Sequence, residues 1–86
     1  MDLQLVKDRI AVNVYHIDAT KDVALHKHAK HNEVFYCIRG EGYGVLEEGR
    51  VALTPGKAFI VPAGTLHSLS SQTNLHVCSF LVPALE

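Results

Sequence analysis

Apolar and polar side chains alternate with period two along most of the chain: Ile10, Val12 and Val14 form one such run, Val34, Tyr36 and Ile38 another. Extended backbone sends successive side chains to opposite faces, so this period predicts strands, whereas a helical stripe would recur about every 3.6 residues. Clusters of glycine, proline, asparagine and serine interrupt the alternation at 30–32, 40–44, 47–49, 54–56, 62–64 and 70–74. Short strands separated by turns at such intervals predict a sandwich or barrel. The run from Gly44 to Leu53 reads as a hairpin about Glu47, Glu48 and Gly49, glycine being free to take the positive φ that a tight connection often needs. Residues 2–9 fit a short helix or an edge strand, and no segment carries a capping box followed by a sustained helical stripe.

Length turns this pattern into a single domain, 1–86, and sets a problem for it. A chain this short buries only about 60 to 65% of the surface its unfolded form exposes. A homodimer is therefore expected, covering the apolar N-terminal run around Ile10, Val12 and Val14. Apolar residues make up 48% of the chain and charged residues 20%, the balance of an ordinary globular protein and not of a disordered one. A net charge of -1 gives no basic field for a phosphate backbone or an anionic membrane, so neither is expected as partner. No window approaches the roughly 18 apolar residues of a membrane span. The N-terminal residues interleave charges with apolar side chains, and the reading is a cytoplasmic protein. Cys37 and Cys78 are too few for a secreted disulfide framework and too far apart for a CxxC motif, so both are expected to be reduced.

Histidine is the unusual feature: there are six, with His26, His28 and His31 in one short stretch. On a strand, residues two apart share a face about 6.6 Å apart, so His26 and His28 can aim at one ion while Lys27 points the other way. After a polar turn, Glu33 opens the strand-like run Val34, Phe35, Tyr36, Cys37 and Ile38. A hairpin there returns its carboxylate beside His28, and His67 adds a third imidazole from a distant strand. Three imidazoles and a carboxylate suit one divalent transition ion, Zn, Ni, Mn, Fe or Co, better than Ca or Mg.

These residues also spell out a pattern. His26 and His28 are followed after four residues by Glu33 and after six more by Gly40; Gly56, Pro62, Gly64 and His67 recur at equally definite spacings. Together they resemble the two sequence motifs of the cupin superfamily over residues 20–71, with Thr20 and Ser71 standing where the motifs have glycine and asparagine. The resemblance implies an all-β double-stranded β-helix, or jelly-roll barrel, commonly dimeric, with His26, His28, Glu33 and His67 holding an ion inside the barrel near one open end. It also implies a small-molecule ligand in the barrel. Metal-dependent enzymes such as dioxygenases and isomerases, and non-catalytic binding or sensor proteins, all occur on this fold, which does not select among them.

Phe35, Cys37, Phe59 and His76 are the candidates to face that ligand, although a phenylalanine or a small thiol is more often plain core. His31 falls in the turn between ligands and His16 has no metal-spaced neighbour. Tyr36, Tyr43 and His76 are the candidate acids or bases, and none is assigned a catalytic role by the sequence. The Gly40, Gly42 and Gly44 run lacks the strand and helix context of a dinucleotide loop.

Overall fold

The computed structural model describes residues 7–21 and 23–84. Seven strands run β1 (Ala11–Asp18), β2 (His31–Gly40), β3 (Gly42–Leu46), β4 (Gly49–Leu53), β5 (Ala58–Val61), β6 (His67–Ser70) and β7 (Asn74–Pro83). They form two antiparallel sheets, one in the order β1-β7-β2-β5 and one in the order β4-β3-β6. This is an all-β barrel of the kind the alternation and turn spacing predict, in the jelly-roll form that the motif resemblance implies. Lys7 and Asp8 are helical, and the remainder of the 2–9 segment lies largely outside the described residues.

One core joins the sheets. Ile17, Phe35, Cys37, Phe59, Val61, Leu75 and Val77 come from the larger sheet, Leu53 and Leu69 from the smaller. Position 40–44 differs from expectation, since Gly42 and Gly44 lie within β3 and not in a turn. The reason is space: a Cβ on Gly44 would run into the Phe59 ring, and one on Gly42 into the Ser70 carbonyl. These glycines let the strand pass close to its neighbours. The β3–β4 hairpin forms as read, with Leu46 paired to Gly49.

The two departures from the motif pattern have local substitutes. Thr20 donates its N–H and its hydroxyl to Asp18 Oδ1 at 2.9 and 2.5 Å, closing the turn after β1. Those two bonds, the hydroxyl foremost, hold the exposed Asp18 carboxyl below its ordinary value, with Lys21 adding to the effect. Ser71 is buried; its hydroxyl donates to the Glu41 carbonyl at 2.7 Å and accepts from Thr73 N–H at 3.1 Å.

Val12 and Val14 point away from the core, 57 and 66% exposed, while Ile17 is buried.

Candidate metal centre

Glu33 sits on β2 with its side chain turned inward, between Val61 of β5 and Leu81 of β7 in the paired register. At 3% exposure in an apolar interior, a carboxylate must be partnered. Ser79 of β7, wholly buried, donates its hydroxyl to Glu33 Oε2 at 2.5 Å. The other oxygen, Oε1, lies 2.9 Å from His67 Nε2 and 3.3 Å from His28 Nε2.

His67 opens β6 and is 1% exposed. Its backbone pairs with that of His26: His26 N–H donates to the His67 carbonyl at 3.0 Å and His67 N–H to the His26 carbonyl at 2.8 Å. The segment carrying His26 and His28 is thus held by an isolated bridge and is not the regular strand predicted for it. The turn at 62–64 fastens the same segment. Gly64, at φ 83°, donates its N–H to the His28 carbonyl at 2.9 Å, and Ala63 N–H donates to Asn32 Oδ1 at 2.8 Å. The residues of the second motif thereby clamp those of the first.

The imidazoles are oriented by the main chain. His67 Nδ1 lies 2.8 Å from the Thr65 carbonyl and His26 Nδ1 3.1 Å from the Ala24 carbonyl. A carbonyl only accepts, so Nδ1 carries the hydrogen in both rings and Nε2 of the neutral form presents its lone pair. For His67 that lone pair confronts Glu33 Oε1, a second acceptor, and a cation between them satisfies both. One donor atom from each of His26, His28, Glu33 and His67 lies within 4.8 Å of the others. Three nitrogens and a carboxylate oxygen so grouped fit a divalent transition ion, with carbonyl partners behind the histidines of the kind that fix metal-ligating imidazoles.

Beside the cluster opens a cavity of about 320 Å³, walled by Tyr15, Ile17, Val23, Phe35, Leu69 and Leu81 and bordered by His26, His28 and Glu33. Phe35 alone of the four side chains expected to face a ligand lines it. Cys37 does share the inward face of β2 with Glu33 and Phe35, but it lies farther along the strand, paired with Val77 and wholly buried in the core. Phe59 stacks behind Phe35, ring centres 5.9 Å apart. His76 belongs to the opposite parity of β7 from the buried Leu75 and Val77 and stacks on His16 at 4.3 Å. His31 borders a different cavity, with Lys30 and Pro83. Tyr36 is exposed, and Tyr43 lies under the Arg50 guanidinium at 3.9 Å.

Two residues at the site escaped the sequence reading. Ser79 is the polar interruption in the inward row Leu75, Val77, Ser79 and Leu81, a signal available from parity. Tyr15 shares the face of Ile17, a placement that alternation alone does not decide, since both faces of β1 carry apolar residues.

The chain belongs to the cupin family, whose domain model matches residues 13–83. No curated protein matches it in sequence. Among solved structures it is similar to a cupin protein from Bacteroides fragilis, at TM-score 0.80 and 20% identity over 90% of this chain and 70% of that one. It is equally similar to a protein from Thermotoga maritima described as a predicted oxalate decarboxylase, at TM-score 0.80 and 20% identity over 98% and 76% of the two chains. KdgF from Halomonas sp. follows at TM-score 0.75 and 23% identity over 90% and 71%. At these identities the likeness establishes the fold.

Proposed function

We propose that this cupin is a metal-dependent enzyme acting on a small organic molecule held in the cavity beside His26, His28 and Glu33, with one Zn, Ni, Mn, Fe or Co ion per chain. The observation that carries the reading is the convergence of three imidazoles and a buried carboxylate at the wall of a largely apolar cavity. The ion, when bound, supplies Lewis acidity and open positions for an oxygen donor. The chain's own contribution is to fix the donors: Thr65 and Ala24 carbonyls orient two rings, and Ser79 holds Glu33. Phe35, Leu69 and Leu81 give the space beside them an apolar wall. Elemental analysis of the purified protein tests this. We expect about one transition ion per chain and its loss in His67→Ala; a wild-type protein that cannot be loaded with any of the five metals would overturn the reading.

Binding without turnover is the second reading, as in a sensor. It is favoured by the scarcity of acid or base groups: apart from the cluster, Tyr15 is the only ionisable side chain among the described residues lining the cavity. Decarboxylation, named for the Thermotoga maritima relative, is one of the reactions that a turnover assay on loaded protein would include.

We further propose a homodimer formed through the outer face of the larger sheet. Val12, Phe80, Val34 and Ile60 lie in register straight across it, as do Val14, Cys78, Tyr36 and Ala58. Four strands about 4.8 Å apart, over two or three such rows, give an apolar patch of about 400 Å², within the size range of the largest patch on a monomer, which is often an interaction surface. With no charge in either row, nothing in the patch repels its own copy across a two-fold axis, which recommends a second copy as occupant. Both cysteines are free, which supports a reducing, cytoplasmic setting. No helix among the described residues is long and apolar enough to cross a membrane.

A further inference from the structure

The eight lysines and arginines of this chain all fall among the described residues, and none lines the cavity beside the histidine cluster. Its wall is aliphatic and aromatic. The hydroxyl of Ser68, which also borders it, donates to the Val23 carbonyl at 2.7 Å and is thereby committed. Beyond the cluster itself, the phenol of Tyr15 is the remaining polar side chain of the lining. The positive charge available to a ligand in this space is therefore that of the metal centre alone.

Charge counting then restricts the ligand. A divalent ion together with the Glu33 carboxylate leaves a centre of net charge +1, which one anionic head neutralises. A second anionic group on the same molecule would enter an apolar space with no cation to meet it. Burying a charge unpaired is costly enough that such ligands are turned away or bind with the second group left outside. The cavity, about 320 Å³, is at the small end of ligand sites.

We infer that the cavity selects small monoanions, with a chelating oxygen head toward the cluster and an otherwise apolar body against Ile17, Phe35, Leu69 and Leu81, and that it discriminates against dianions. This inference rests on the metal-centre reading above and adds a ligand class to it.

Calorimetric titration with two 2-oxo acids tests it, since 4-methyl-2-oxopentanoate and 2-oxoglutarate share a chelating head and differ in an apolar against a carboxylate tail. On protein loaded with Ni(II), the apolar acid is expected to bind at least tenfold more tightly. Val23 lies outside the strands at the cavity wall and is 37% exposed, so Val23→Arg adds a cation there with little risk to the fold. That variant is expected to cut the ratio to below threefold by strengthening 2-oxoglutarate binding. Equal affinities in the wild type, preference for 2-oxoglutarate, binding of neither acid, or a ratio unchanged in Val23→Arg would each overturn the selectivity while leaving a loaded metal centre in place. Failure to take up Ni(II) or any other of the five metals would overturn the metal-centre reading and the inference with it, and equal binding of the apolar acid with and without metal would overturn the inference alone.

Discussion

Inward, the four-stranded sheet presents Ile17, Leu75, Val77, Phe35 and Val61; outward, it presents Val12, Val14, Phe80, Val34 and Ile60. Both sets are aliphatic and aromatic, yet one is sealed against the smaller sheet and the other is open. What separates them chemically is a buried polar pair on the inner side, Glu33 and Ser79, joined to each other across β2 and β7, whereas polar residues of the outer side such as His16 and Tyr36 are exposed. A face that must bury a carboxylate supplies its partner; a face that only adheres needs none. Polarity within an apolar row thus marks the functional side of a sheet better than apolarity marks the core.

The largest effect expected from this contrast is on stability. Phe59→Ala removes a ring packed on Phe35 and on the backbone of Gly44, and should cost about 3 to 5 kcal/mol in chemical denaturation. Its neighbour Ile60 is 68% exposed, and Ile60→Ala should cost far less in the isolated chain. Equal losses would mean that the outer face is covered within the same molecule. Val14→Asp should weaken self-association at least a hundredfold, about 2.7 kcal/mol, as read by sedimentation. Unchanged association would move the proposed dimer contact elsewhere. On the inner side, Ser79→Ala frees one oxygen of Glu33 and should lower metal affinity about tenfold, with Ser79→Thr restoring part of it.

The smallest effect concerns the turn after β1. Because Thr20 holds the folded-state carboxyl of Asp18 below its ordinary value, the pair stabilises the fold above the unfolded carboxyl's titration range. That contribution disappears as pH falls through the folded value. Thr20→Ala should move the Asp18 titration upward by NMR, and an unmoved titration would assign the shift to the backbone N–H of residue 20, which the substitution leaves in place.

The four candidate ligands were legible because a two-residue repeat, a turn and a proline–glycine corner each constrain position through backbone geometry alone. The parity of β1 was not legible: with Val12 and Val14 on one face and Tyr15 and Ile17 on the other, alternation offers two apolar answers, and only tertiary packing chooses. Cys37 shares the inward face of Glu33, as period two predicts, and is plain core, the commoner place for a small thiol, since period two gives direction and not distance from the barrel mouth. His76 drew notice as a histidine, although its β7 neighbours Leu75 and Val77 already assign it to the outer face.

The paired hydrogen bonds between the backbones of His26 and His67 make scaffold and chemistry separable. Amide and carbonyl groups are common to nearly every residue, so aspartate, glutamate or cysteine at either position inherits the same anchoring. Descendants of this chain can therefore exchange donor atoms one at a time and drift from one ion to another without inventing a new loop. The same property makes positions 26 and 67 natural places to write a different metal preference into the barrel by design.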